Sequence, residues 1–245
     1  MITNQMYTEF EEKLRRAICD AAYALNESGM AFAVFTNTKC NEKYWNRTNN
    51  GGWRLKPGGV PASAVSDIFD NGWQYATECA TAMEIVYYKA LLEVYGDELF
   101  NRTFHSIYLM DWDIREPLLS KAGNMFDVPG LIAGDRGYFA NPDHDPALPQ
   151  WQGENVIVLS AESGGTYYGH GIGISNGKDI IDSLNSRRKS DNPRSAYLMT
   201  RAGRPDFKKL ADVMYSEKTV AVWKEFPPAV PVMGVPGKNG TFHFV

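Results

Sequence analysis

The sequence predicts an α+β fold built on an antiparallel sheet, and three observations predict it. Phe10, Leu14, Ala17, Ala21 and Leu25 recur at helical spacing among charged residues, as the buried stripe of a packing helix does. The run CATAMEIVYYKALLEVY, residues 79–95, is apolar on nearly every side and too long for a strand, so it reads as a buried helix. Beyond residue 106 the chain turns to short apolar segments separated by glycine, proline and polar clusters, which is the pattern of strands.

Taken in order, the first helix covers about Tyr7 to Glu27 and stops at Ser28-Gly29. AFAVFTNT, 31–38, is expected to be a strand, and 41–59 to hold two short strands around the turn Asn49-Asn50-Gly51-Gly52. PASAVSDIFDNG, 61–72, follows as a short helix; the long apolar helix then runs to Gly96, with Cys79 in its first turn. Strands are expected at 106–112, 154–160, 168–174 and 195–200, and helices at 177–188 and 204–216. Residues 113–149 carry five prolines and read as a loop-rich insert, the kind of segment that walls a site. A single domain is expected over 1–245, with 207–245 as its loose C-terminal tail.

Composition removes several function classes. A net charge of −4, with no Lys/Arg stripe, leaves no electrostatic footprint for nucleic acid. No stretch reaches the roughly 18 apolar residues of a membrane span, and the start lacks the apolar core of a signal peptide, so the chain is expected to stay inside the cell. Cys19, Cys40 and Cys79 are an odd number at wide spacing, against both a disulfide framework and paired zinc ligands. GHGIGISNGK lacks the glycines of a phosphate loop and NPDHDP fits no calcium loop, so no metal or cofactor is expected.

Cys79 is the candidate nucleophile. The positive end of a helix dipole favours thiolate, the reactive form; a buried inert cysteine packed beside Ala80 and Ala82 is the alternative. His170, on an expected strand between Gly169 and Gly171, follows in the papain-like order of helix-borne Cys and strand-borne His. The alternative for it is a core histidine satisfied by a backbone carbonyl. Glu154 stands where a polar loop enters an apolar strand: burial would make it a better proton acceptor, whereas an edge position would leave it in water. Glu78 serves equally as a partner of the helix dipole. A carboxylate near pKa 4.3 facing a thiol near 8.5 is mismatched by about 4 units, roughly 5 to 6 kcal/mol, against about 2 units for histidine. A glutamate base therefore requires an enclosed site, for which Trp73, Phe139, Trp151, Tyr167 and Tyr168 are candidate walls. The amides that open the Cys79 helix are the expected oxyanion donors.

TECATA (77–82), YLMDWD (108–113), GDRGYFANPDHDP (134–146), QWQGENVIVL (150–159), YYGHGIGISNGKDIIDSLNS (167–186) and SAYLM (195–199) together resemble the small spore-coat transglutaminases of endospore-forming bacteria. The likeness is collinear from about Tyr7 to Asp206; the segment from about Phe207 has no counterpart in it. The resemblance implies a calcium-independent protein-glutamine gamma-glutamyltransferase on a papain-like cysteine peptidase core. Cys79 would be the nucleophile, Glu154 its dyad partner, Glu78 a second partner and His170 an assisting group. It implies protein substrates carrying reactive Gln and Lys, coat proteins among them, and a place in the spore coat. Two rivals stay open: a cysteine hydrolase using Cys79 and His170, and a non-catalytic coat scaffold.

Overall fold

A computed structural model describes residues 2–110, 116–162, 164–189 and 194–225, with two short strands at 235–236 and 242–243. The acidic cluster at 111–113 and, within the expected loose tail, residues 226–234, 237–241 and 244–245 lie outside the described residues.

Helix α1 (Asn4–Glu27) opens at Thr3, whose hydroxyl accepts from the Met6 amide, and it buries Phe10, Leu14, Ile18, Ala21, Ala22 and Leu25. Strand β1 is only Ala31–Phe32, because the expected strand over 31–38 gives way to a 3-10 turn at Phe35–Asn37. Strands β2 (Trp45–Arg47) and β3 (Trp53–Leu55) form the expected hairpin. Helix α2 (Pro61–Asp70) starts on a proline, which tolerates that position because its missing N–H would be unpaired there anyway.

Strand β4 (Ala76–Thr77) pairs with β1 in parallel and leads straight into α3 (Cys79–Tyr95). Nearly every α3 side chain is buried, as its apolar sequence requires, and the helix packs against α1. Helix α4 (Asp97–Thr103) and strand β5 (Tyr108–Leu109) follow.

The proline-rich insert holds more structure than its sequence suggests. It contains helix α5 (Ser120–Gly123), strand β6 (Phe126–Asp127) and the sheet strand β7 (Arg136–Ala140). Then come β8 (Gly153–Ser160), β9 (Thr166–Gly169), β10 (Gly173–Asn176), α6 (Gly177–Asn185), β11 (Tyr197–Leu198), β12 (Arg201–Ala202) and α7 (Phe207–Glu225). The expected single strand over 168–174 is a hairpin. Gly171 at φ 104° and Gly173 at φ 84° adopt backbone that other residues resist, and His170 sits in the turn.

The five-stranded sheet has the order β10-β9-β8-β7-β11, and every neighbouring pair is antiparallel. Its pleat separates two cores. Ile157 and Tyr168 face α1 and α3 in the main core, whereas Phe139, Val156, Val158 and Tyr167 face Ile180 and Leu184 of α6. Helix α7 begins where a short helix was expected and runs further; Leu210, Ala211 and Met214 join the main core beside α1.

Candidate functional site

The site lies where the first turn of α3 meets the start of β8. Glu78 caps α3: its carboxylate accepts from the amides of Ala80 and Thr81, two of the donors that a helix start leaves without partners. Two of the helix-opening amides expected to serve an oxyanion are therefore occupied by the cap. Cys79, one residue on, is half-buried and has no disulfide partner.

Register places the other groups. Tyr138 lies opposite Asn155 and Phe139 opposite Glu154 on the β7–β8 ladder. Asn155, which sequence reasoning did not single out, donates its Nδ2–H to Cys79 Sγ at 3.3 Å. Its Oδ1 accepts from Arg136 Nε at 3.0 Å. Arg136 is 2% exposed and is also tied to the carbonyls of Ala122 and Gly123.

Glu154 is 4% exposed, and its Oε1 has no hydrogen-bond partner among the described residues. Gly169 makes the room: a Cβ there would come within 2.8 Å of that oxygen. Burial raises the Glu154 carboxyl well above the usual carboxylate range, and the negative charge of Glu78 adds to the rise. The same burial, with Glu154 and Glu78 nearby, pushes the Cys79 thiol up despite the Asn155 donor. The helix end favours the thiolate by about 0.3 to 1 kcal/mol, and burial acts on the thiol in the opposite direction.

His170, also 4% exposed, has both ring nitrogens engaged. Nε2 lies 3.1 Å from the Ala31 carbonyl, which can only accept, so Nε2 carries the proton. Nδ1 then accepts from the Tyr168 hydroxyl at 3.1 Å. Burial holds this imidazole neutral, with its pKa lowered to about 4. The geometry is the carbonyl-satisfied histidine that the sequence left open as the alternative.

Two cavities adjoin these groups. One, of about 260 Å³, is lined by Glu78, Cys79, Tyr138, Gln152 and Asn155. A smaller one, of about 90 Å³, is lined by Glu154, His170, Trp151 and Ile172. Phe32 and Gln150 border both, so β1 and the Pro149–Trp151 turn supply a shared wall. Of the five aromatics proposed as walls, Trp151 takes that place. Phe139 and Tyr167 fill the second core, Tyr168 holds His170, and Trp73 points outward at 74% exposed. Tyr138 and Phe32, which line the larger cavity, were not foreseen; their signal was position next to Glu154 and Cys79 in space, not in sequence. Among the described residues no group of three His, Cys, Asp or Glu side chains converges as metal ligands do, and no helix is long and apolar enough to cross a membrane.

A thiol and a buried carboxyl that face adjoining, mainly apolar cavities define a class of site suited to covalent acyl transfer. The chain belongs to the protein-glutamine gamma-glutamyltransferase family, whose sequence profile matches residues 3–214. It is 45% identical over 202 residues to a protein of that name from Bacillus subtilis strain 168, covering 82% of this chain and 79% of the relative. A namesake from Bacillus pumilus is 42% identical over 198 residues, 80% of this chain and 77% of the relative. In structure the chain is similar to a transglutaminase from Geobacillus stearothermophilus solved without its C-terminal extension, with TM-score 0.79 and 40% identity. That match covers 86% of this chain and 99% of the other.

Proposed function

We propose that this chain crosslinks proteins by forming an isopeptide bond between a glutamine and a lysine side chain through a thioester on Cys79. The observation that carries the mechanism is a pair of groups in adjoining cavities: a half-buried thiol in one and, in the other, a buried carboxyl oxygen without a partner among the described residues. Cys79 Sγ attacks the glutamine side-chain amide carbon. Its proton goes to Glu154, then to the departing ammonia, and an acyl-enzyme remains. A lysine amine attacks that thioester, gives up a proton to the same carboxyl, and the thiol is regenerated.

Glu154 is the base in this reading because burial raises its proton affinity above that of an ordinary carboxylate and one of its oxygens has no other partner among the described residues. His170 is left a positioning part, since both its nitrogens are committed to Ala31 and Tyr168. Glu78, tied to two amides, serves first as the cap of α3. We read the fold as a papain-like core, with the thiol-bearing helix laid against an antiparallel sheet, and the chain as one domain through at least Met214, since that residue shares the main core. We further propose coat proteins as substrates and the spore coat as location, a reading supported by the Bacillus origin of the relatives.

The test is incorporation of a fluorescent primary amine into a glutamine-bearing protein, with a chelator present to address calcium independence. The wild type and Glu78→Ala incorporate amine, Cys79→Ala loses all of it, and Glu154→Ala loses far more than His170→Ala. Ammonia release without amine incorporation by the wild type would make the chain a hydrolase instead, and retention of activity in Cys79→Ala would remove the thiol from the reaction.

A further inference from the structure

Arg136 is a guanidinium buried inside the main body of the protein, where a cation is expensive and needs a reason. Burial pulls its pKa down, and the neighbouring Tyr87, Cys79 and Glu78 pull it back up. Two of its hydrogen bonds, to Ala122 and Gly123 carbonyls, fix it to the last residues of α5. Another is directed at Asn155 Oδ1 and determines which end of that amide faces Cys79. A guanidinium only donates, so the amide oxygen must face Arg136 and the NH2 must face the sulfur. With its orientation reversed, Asn155 would aim lone pairs at the sulfur.

We infer that Arg136 and Asn155 form a relay that stabilises negative charge on the Cys79 side of the site, Asn155 as a catalytic donor to sulfur and Arg136 as the positioning residue that holds its amide in the donating sense. The inference rests on Cys79 being the nucleophile. Two further features make the donor necessary. Glu78 occupies the Ala80 and Thr81 amides, so the helix start has fewer donors to offer than its sequence promised. The remaining ionisable groups around the sulfur are Glu78 on the same helix, Glu154 on β8 and Tyr138 on β7, and as each ionises it adds negative charge. Asn155 and the cation behind it are the opposing contribution. Because Asn155 is neutral, it lowers the cost of the thiolate without forming an ion pair that would hold the sulfur back from substrate.

The relay is tested on the full chain by the pH dependence of Cys79 alkylation by iodoacetamide, followed by peptide mass because Cys19 and Cys40 are also free thiols. Steady-state amine incorporation is measured alongside. Asn155→Asp keeps the shape and the Arg136 bond but puts a charge beside the sulfur, so the variant used is Asn155→Leu, which loses the donor and adds no charge. Its alkylation midpoint rises by roughly one pH unit or more, and kcat falls about 10²- to 10³-fold with KM for the glutamine substrate changed less than about threefold. Arg136→Lys retains the charge and loses the planar fork; it raises the midpoint in the Asn155 protein and adds nothing in an Asn155→Ala background.

A wild-type midpoint in Asn155→Leu overturns the donor role. An Arg136→Lys shift that persists undiminished without Asn155, or no shift at all, overturns the positioning role. Should Arg136→Lys not fold, the Nε proton resonance of Arg136 in the wild type decides: displacement on alkylation of Cys79 supports the relay, and an unmoved signal overturns it. Alkylation is read on Cys79 without turnover, so these outcomes stand apart from failure of the crosslinking reading, which Cys79→Ala with intact amine incorporation would reveal.

Discussion

Asp135 and Glu154 are acidic side chains at opposite ends of one ladder, both out of water, and their surroundings differ completely. Asp135, just before β7, accepts from Arg15 Nη1 at 2.8 Å, from Arg204 Nε at 2.6 Å and Nη2 at 2.7 Å, and from the Ile132 amide at 3.0 Å. Every lone pair has a use, and α1, β7 and the segment after β12 are tied together through it. Glu154, at the start of β8, is held by packing, and one of its oxygens has no partner among the described residues. A buried carboxylate with two cations is a structural joint; one with an open valence has a raised proton affinity and is available to chemistry.

The sharpest way to break this contrast is Glu154→Gln. Amine incorporation falls about 10²- to 10⁴-fold in kcat, while thermal melting is unchanged or higher. The stability sign follows from the raised pKa: folded Glu154 keeps its proton at pH values where the unfolded chain has released it. The wild type therefore loses stability as pH rises above the ordinary carboxylate range, and the Gln variant does not. A variant that stays active and melts lower would place Glu154 among the structural joints.

Asp135→Asn is the converse. It strands Arg15 and Arg204 at a buried amide and destabilises by about 3 to 5 kcal/mol, lowering the melting temperature by roughly 6 to 20 °C. Below its melting transition the variant keeps far more activity than Glu154→Gln. Melting curves and kinetics on the same preparations check both halves.

The smallest effect is expected at His170, a neutral group satisfied like Asp135 yet adjoining the cavity of Glu154. Its pKa of about 4 lies below the unfolded 6.5, so its contribution to stability is whole above pH 6.5 and is lost as pH falls toward 4, by up to about 3 kcal/mol. His170→Gln, which can still donate to the Ala31 carbonyl, flattens that part of the stability curve. Denaturant midpoints at pH 7, 5.5 and 4 measure it, and an unchanged slope would show that another group causes the acid loss.

Much of the frame was legible in the chain itself. The α1 stripe, the apolar run of α3 and the buried strand β8 have lengths and periods that no other element matches, and Cys79 fell in its predicted helical turn because Glu78 caps the run it precedes. Strand β7 was hidden because RGYFA is short and sits among prolines, and its pairing with β8 is a long-range choice. The hairpin after Gly169 was hidden because YGHGIGI has a strand-like pattern, while the positive φ of Gly171 and Gly173 arises only when the chain folds back.

By itself, then, the sequence determined which helix bears the thiol, which carboxylate enters the sheet, and, through its ordered motifs, the family. Local pattern suffices for those because helix period, capping and collinear motifs are properties of neighbouring residues. Only the tertiary structure decided that His170 is occupied by Ala31 and Tyr168, that burial opposes the thiolate, and that Arg136 and Asn155 stand behind Cys79. Each of these depends on which distant groups share a space closed to water, and proton affinity and hydrogen-bond supply are set by that space.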